Sequence, residues 1–115
     1  MRYLLLIGHS DKHAPAPTPA QSQATLQAFI RFSEEVSKAG KTVAAERLRP
    51  EDSATRVRVK AGHHQVTDGP FAETKEGIGG FYLIECASKE EALEWAKKVP
   101  IGENGFVDVR PIWQM

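Results

Sequence analysis

Asp68 and His9 are the side chains best suited by type and position to acid/base chemistry. Asp68 opens a tight Asp-Gly-Pro turn, where a carboxylate with a pKa raised by burial can take up a proton. His9 follows an apolar run, and its imidazole exchanges a proton near neutral pH. We predict both as catalytic. Structural interpretations stay open, because Asp68 can hold its own turn by an Asx hydrogen bond and His9 can be an exposed loop residue.

Four further charged residues are predicted to bind a ligand: Arg110, Glu46, Glu73 and Lys75. Arg110 and Glu46 fall in predicted strands and can project between two sheets, where an unpaired charge is costly. A guanidinium there can hold a ligand carboxylate through a two-pronged hydrogen bond. The alternatives are an ion pair of Arg110 that sets the register of a dimer, and a solvated charge run at Glu73 and Lys75.

The histidines and the single cysteine do not predict a metal or cofactor site. His9, Asp11 and His13 alternate, but such spacing in a proline-rich loop is a weak indication of metal binding. Cys86 lacks an intramolecular disulfide partner, and we expect it to be buried in a strand, where its thiolate is suppressed. His63 and His64 are interpreted as surface residues. Nothing resembles a phosphate loop, a Ser/His/Asp order or a zinc spacing, so we predict no cofactor and no metal.

The elements that must position these residues follow the order β, long α, β, hairpin, β, α, β. Thr18, Pro19 and Gln21 form a helix start with a capping box, and Gly40 is a plausible stop. Ser88 with Glu91 predicts a second capping box. The predicted strands are 3–7, 42–48, 81–87 and 106–113, the hairpin is 56–60 with 63–67, and the helices are 19–39 and 88–100. Without the hairpin this is βαββαβ, a ferredoxin-like α+β fold in a single domain of residues 1–115.

Two finer expectations concern the long helix and the last irregular segment. One apolar helix face is predicted to cover the sheet; it comprises Leu26, Phe29, Ile30, Ser33, Val36 and Ser37. The segment 71–80 has no clean period, and its glycines at 77, 79 and 80 predict a flexible end before the next strand.

The strands at 3–7 and 81–86 are apolar on both faces, apart from Glu85. Helices cover one face of such a sheet, and a bare apolar face is not tolerated in a soluble monomer. A second copy of the chain is the simplest cover. We therefore expect a homodimer joined through its sheet faces.

Charge and hydropathy limit the other partners. Fifteen basic residues balance fifteen acidic ones, which argues against a dedicated nucleic-acid surface. The apolar run after Met1 spans only about five residues, too short for a signal-peptide core or a membrane span. We expect a cytoplasmic protein that binds neither nucleic acid nor membrane.

The stretch VTDGPFAETKE, residues 66–76, resembles the signature of the DGPF proteins, which belong to the YCII-related family. Further similar pieces extend the likeness over nearly the whole chain: Glu46-Arg47-Leu48-Arg49-Pro50, Gly79-Gly80-Phe81-Tyr82-Leu83-Ile84, the Ala-Leu-Glu-Trp-Ala run at 92–96 and Val109-Arg110-Pro111-Ile112.

The resemblance implies a ferredoxin-like fold and a dimeric α/β barrel. Some relatives resemble a dehydrochlorinase of aromatic degradation, and others occur with sigma-factor domains. The related YciI-type proteins are thought to carry a His–Asp pair in a cleft. In this chain the helix at 19–39 has no histidine, and Ser33 occupies a polar position on its apolar face. A His–Asp pair would have to use His9, His13, His63 or His64.

Two functions of different classes follow. The first is a small-molecule-binding domain with cofactor-independent, lyase-type or other acid/base chemistry on a small anionic or aromatic metabolite. Asp68 and His9 would move protons, and Arg110 would orient the substrate. The second is a non-catalytic accessory or regulatory module that binds a metabolite or a protein partner. The two differ in what they require of Asp68, since only catalysis needs a shifted pKa and a path to solvent.

Overall fold

The computed structural model describes residues 1–11, 14–71 and 76–114, and it has the element order that the sequence predicts. The strands are β1 Arg2–His9, β2 Thr42–Arg47, β3 Thr55–Lys60, β4 His63–Asp68, β5 Gly77–Glu85 and β6 Gly105–Pro111, and the helices are α1 Pro19–Lys38 and α2 Lys89–Lys97. A short 3₁₀ turn, Glu51–Ser53, precedes the hairpin and was not predicted. No helix within the described residues has the length and apolar character needed to cross a membrane.

Four strands form one antiparallel sheet in the order β2-β5-β1-β6, and β3 pairs with β4 as a separate hairpin. This α+β arrangement is consistent with a ferredoxin-like fold carrying an inserted hairpin. The hairpin turn consists of Ala61 and Gly62, whose φ angles are 52° and 79°. Two consecutive positive φ angles match the right-handed twist of the strands that the turn joins.

The helix ends obey local capping chemistry. The Thr18 side chain accepts a hydrogen bond from the Gln21 backbone N–H at 3.1 Å, and Gln21 Oε1 accepts one from the Thr18 N–H at 2.9 Å. The predicted first capping box is therefore confirmed. At α2, Ser88 Oγ accepts from the Glu91 N–H, but the Glu91 carboxylate accepts from the Ala87 N–H instead of from Ser88. Only half of the second box forms.

The core lies between the sheet and the helices. Its fully buried side chains are Leu5, Ile84 and Val36, and Phe32 and Tyr82 pack edge to face beside them at 5.0 Å. Cys86 is 2% exposed, and burial raises the pKa of its thiol, so the expected burial is confirmed, but the residue lies directly after β5 and not within the strand.

The predicted apolar face of α1 is only half correct. Phe32 and Val36 are 3% and 0% exposed, whereas Leu26 and Ile30, one or two turns earlier, are 41% and 43% exposed. The reason is the unequal length of the two helices. At 1.5 Å per residue, α1 spans about 30 Å and α2 only about 14 Å, so α2 is too short to cover the first half of α1.

The prediction of a flexible end at residues 77–80 is wrong, because these residues are the first four of β5. Ile7 pairs with Gly80 and Gly8 with Ile78, so Gly79 is an extra residue in a β-bulge. A Cβ atom on Gly80 would lie 2.7 Å from the Glu46 carbonyl oxygen. Glycine is required here by the close approach of β2, not by flexibility.

The two faces of the sheet differ in what covers them. Odd-numbered residues of β1 and even-numbered residues of β5 face the helices. The opposite, helix-free face carries apolar side chains that are half-buried in the single chain: Leu4, Leu6, Phe81, Leu83 and Phe106. The expectation of strands that are apolar on both faces is confirmed. The dimer and the barrel inferred from it stay predictions.

Candidate functional site

A groove of about 1520 Å³ lies between the first half of α1 and the end of the sheet where β1 finishes and β5 begins. The helix contributes Leu26, Phe29, Ile30 and Ser33 to one wall. Ile7 and Tyr82 lie on the helix-facing side of the sheet and form the floor. The groove exists because α2 ends before it can cover this part of the sheet.

Five of the twelve exposed large hydrophobic side chains of the described residues line the groove, each 39–46% exposed: Leu26, Ile30, Leu48, Ile78 and Ile101. The other seven lie outside it, among them Val57, Val59 and Val66 of the hairpin. Isolated apolar residues on a surface need no explanation, but a contiguous concave group is typical of a binding site. This concentration makes the groove the strongest candidate site in the described chain.

Charges at the groove rim are mixed in sign. Lys38, Arg47 and Arg49 line it together with Glu34, Glu46 and Glu76. None of these six side chains has an ion-pair or hydrogen-bond partner within residues 1–11, 14–71 and 76–114. The rim can therefore pair with either sign of charge on a ligand, but it does not form a dedicated anion site.

The turn that follows β4 holds the hairpin to the 3₁₀ turn, and its Phe71 lines the groove. The Phe71 N–H donates to Glu51 Oε1 at 3.3 Å, and the Arg56 guanidinium lies 3.8 Å from the centre of the Phe71 ring. Gly69 donates its N–H to the Ala54 carbonyl at 2.7 Å, and a Cβ atom on it would meet the Glu51 carbonyl oxygen at 2.3 Å. The residue types of this turn thus have a structural reason.

A pair of hydroxyl groups lies at the floor of the groove. Ser33 Oγ of α1 and the Tyr82 hydroxyl oxygen of β5 are 2.6 Å apart and hydrogen-bonded. Tyr82 is 7% exposed, and its ring contacts Phe32 edge to face, so the position of its hydroxyl group is fixed. Both residues line the groove.

The structure brings two of the predicted site residues to the groove. His9 ends β1 and Glu46 lies on β2 opposite Phe81, and both line the groove. Arg110 is exposed opposite Leu4, on the helix-free face, and does not line it. Glu73, Lys75 and His13 lie outside the described residues.

Asp68 is exposed at the end of β4, and its Oδ1 accepts a hydrogen bond from Thr55 Oγ1 at 3.2 Å across the hairpin. It is not among the residues that line the groove in the described part of the chain. Of the expected cleft shared by His9 and the segment 68–76, His9, Phe71 and Glu76 line the groove, and residues 72–75 lie outside the described ranges. The catalytic roles of Asp68 and His9 stay predictions.

No group of three or more His, Cys, Asp or Glu side chains able to hold a metal occurs in the described ranges. His63 and His64 are exposed on β4, as expected. The alternating set His9, Asp11 and His13 includes a residue outside those ranges.

Comparison with known proteins identifies the family of the chain. The model of the YCII-related domain matches residues 1–115. The chain belongs to the YCII-related domain family. An uncharacterised protein, R00369 of Rhizobium meliloti (strain 1021), is 35% identical over 114 residues, which cover 97% of this chain and 92% of that protein. The resemblance to the YCII-related family in the sequence is confirmed, and this YCII-related domain matches its relative over nearly its full length.

Sequence reasoning missed two groove residues that the fold brings together, Ser33 and Tyr82. Ser33 was noted as a polar residue on an apolar helix face, and that was the available signal. Tyr82 gave none, because a tyrosine in an apolar strand is an ordinary core residue.

Proposed function

We propose that this YCII-related domain binds a small, mainly apolar or aromatic metabolite in the groove between α1 and the sheet. The single observation that supports the proposal is the concentration of exposed apolar side chains in this one concave site. Elsewhere on α1 and β5, side chains of the same types are buried in the core. A ligand that covers Leu26 and Ile30 would remove from water apolar surface that the fold itself leaves exposed.

The size of the groove is informative about the ligand. Pockets for small molecules enclose roughly 300–1,000 Å³, and this groove of about 1520 Å³ exceeds that range and is open to solvent. A single-ring or two-ring metabolite would occupy the inner part, between Phe29, Ile30 and Tyr82. The outer part, with its mixed charges, would contact polar substituents of the ligand.

Acid/base chemistry on that ligand is the catalytic form of the proposal. His9 lies at the rim of the groove, where an imidazole can exchange protons with both a bound molecule and solvent. Asp68 and Arg110 lie elsewhere, so their predicted roles require a ligand or a second subunit that reaches beyond the groove. The resemblance of some relatives to a dehydrochlorinase is compatible with this form, and the DGPF-like stretch at 66–76 would border the site.

In the non-catalytic form of the proposal, the domain binds the metabolite in the same groove but does not convert it. The observation that favours it is the position of Asp68, whose carboxylate bonds Thr55 of its own hairpin. In this form the domain is an accessory or regulatory module that responds to the metabolite. Both forms make the same statement about where the ligand lies.

The groove itself is tested by binding of 8-anilinonaphthalene-1-sulfonate, an apolar probe whose fluorescence rises in a dry site. Ile30→Gln should weaken binding at least fivefold, because Ile30 lines the groove and is 43% exposed. Leu93→Gln is the matched control: Leu93 is 37% exposed on α2 and does not line the groove. Equal binding by the two variants would contradict the proposal.

The two forms are separated by a metabolite screen using thermal shift, with His9→Ala and Asp68→Asn beside the wild type. A hit that the wild type converts and that His9→Ala binds without converting supports the catalytic form. A hit that all three proteins bind equally and none converts supports the accessory module. If Asp68→Asn is the only one of the three proteins that fails to convert the hit, Asp68 is assigned a catalytic role.

A homodimer joined through the helix-free sheet face completes the proposal. The half-buried apolar group on that face and the 19 Å thickness of the molecule, about one sheet and one helix layer, support it. A second sheet packed about 10 Å away would bury Leu6 and Leu83 fully and would give the dimeric barrel that the family resemblance implies.

A further inference from the structure

The hydroxyl pair of Ser33 and Tyr82 has one donor more than it uses. Each hydroxyl carries one hydrogen and accepts through its lone pairs, so a single bond between them consumes one hydrogen and leaves the other. Within the described residues neither group has another hydrogen-bond partner. Whichever oxygen donates, the pair presents one free O–H to its surroundings.

Both residues that carry these hydroxyl groups line the groove, together with the apolar residues Phe29, Ile30 and Ile7. A hydrogen bond formed in such an apolar environment is stronger than one formed in water. A ligand that lacks an acceptor at this point would leave the O–H unsatisfied and would be discriminated against.

The pair is also held rigidly. Tyr82 lies in the central strand β5, and its ring contacts Phe32, which is 3% exposed, at 5.0 Å with the ring planes at 90°. Ser33 follows Phe32 directly on α1. Because the same helix–sheet contact positions both oxygens, a ligand need not order them on binding.

The hydroxyl pair is neutral, and most of the charged side chains that line the groove are exposed, although Glu51 and Arg56 are half-buried. The pair offers a carboxylate no cation, whereas a carbonyl or hydroxyl oxygen needs only the free O–H. An ionised substituent would have to lie outward, near Arg47 or Lys38.

We propose that the Ser33–Tyr82 pair recognises an uncharged oxygen, a carbonyl or a hydroxyl, carried by the ring of the bound ligand. The ligand class is therefore an oxygenated aromatic or alicyclic ring, placed with its oxygen toward the floor and its remaining edge toward solvent. This inference rests on the proposed ligand site in the groove and adds the group by which the ligand is selected.

The test compares 2-naphthol with 2-methylnaphthalene, which has the same shape and no oxygen, by fluorescence titration of the wild type and three variants. The measured quantity is the affinity ratio of the two compounds. The double variant Ser33→Ala/Tyr82→Phe, which removes both hydroxyl groups, should lower this ratio about five- to tenfold, the equivalent of one neutral hydrogen bond. Tyr82→Phe alone keeps the Ser33 O–H and should lower the ratio less, and both variants should leave 2-methylnaphthalene binding within about twofold. Tyr82→Phe keeps the ring that packs on Phe32.

The matched control is Tyr3→Phe. Tyr3 is equally buried at 4%, and its hydroxyl group contacts Met1 Sδ at 3.5 Å outside the groove, so its removal should not change the ratio. An unchanged ratio in the double variant Ser33→Ala/Tyr82→Phe overturns the inference and leaves the groove site intact. So does binding of anilinonaphthalenesulfonate without binding of either naphthalene. Failure of all three probes to bind the wild type overturns the groove site and the inference together.

Discussion

Replacing Gly80 by alanine tests how closely β2 approaches β5 beside the groove. Gly80 pairs with Ile7 on one side and with Arg47 on the other. An added Cβ atom would lie 2.7 Å from the Glu46 carbonyl oxygen and 3.4 Å from the Arg47 Cα atom. Both are backbone atoms, so no side-chain rotation relieves the overlap. The strands must separate.

The magnitude follows from two opposing terms. Alanine restricts the unfolded chain and stabilises by about 0.4–1 kcal/mol where the native backbone accepts it. Overpacking against a fixed backbone costs about 1–3 kcal/mol. We therefore expect Gly80→Ala to lower the free energy of unfolding by about 1–2 kcal/mol. Gly79→Ala should raise it by about 0.5 kcal/mol, because its Cβ would meet nothing closer than the Ile7 carbonyl oxygen at 3.9 Å.

Differential scanning calorimetry of the two variants measures this contrast directly. For a domain of this size 1 kcal/mol corresponds to about 4 °C, so the melting temperatures should differ by about 6–10 °C. Neither glycine has a φ angle in the left-handed range, which removes backbone strain as an explanation. Melting temperatures within about 2 °C of each other would refute the close approach of the two strands.

Three further predictions concern assembly, pH and the core. We expect sedimentation equilibrium to show a dimer of about twice 12.7 kDa for the wild type and a monomer for Leu83→Lys. The control variant Leu93→Lys should remain a dimer. A monomeric wild type would contradict the sheet-face dimer. The hydrogen bond from Lys41 lowers the pKa of Glu91, so this pair stabilises above the ordinary glutamate pKa and is lost as the pH falls. Urea unfolding at pH 6 and pH 3 should show a larger loss for the wild type than for Glu91→Gln, and equal losses would contradict the linkage. Val36→Ala should cost about 2 kcal/mol in urea unfolding at pH 7, because Val36 is 0% exposed, and a cost below about 0.5 kcal/mol would contradict its place in the core.

Much of the fold was predictable because its signals are local. Thr18 and Gln21 satisfy the first N–H groups of α1 by themselves, whatever the rest of the chain does. Ala61-Gly62 fixes the hairpin in the same way. The order of the strands in the sheet then follows from the few topologies that such an element order permits.

The groove was not predictable from the same signals. Helical spacing correctly groups Leu26 and Ile30 with Val36 on one face, but it does not say what covers each turn of that face. The length of α2 decides this, since a helix that ends at Lys97 does not extend along the first half of α1. The exposure of the apolar face of α1 thus depends on both α1 and α2, whereas the helical spacing is read from the sequence of α1 alone.

Asp68 illustrates a second limit. The residue types that build a tight turn are the residue types that could do chemistry at a cleft edge, so the sequence alone cannot separate these roles. The structure provides the turn role with a definite partner, Thr55. The ligand contacts proposed for Glu73 and Lys75 fall outside the described residues and rest on the sequence alone.

The hydroxyl pair shows which sequence signal was informative. Ser33 and Tyr82 are 49 residues apart, and only the packing of α1 on β5 brings their oxygens within 2.6 Å. A serine on an otherwise apolar helix face must hydrogen-bond to its own backbone, to solvent or to a group across the core. Here the group across the core is itself a hydroxyl, which cannot use both hydrogens within the pair. A polar residue on a buried helix face therefore predicts a hydrogen-bond partner across the core. When that partner is also a hydroxyl group, the pair predicts a third group that accepts the remaining hydrogen.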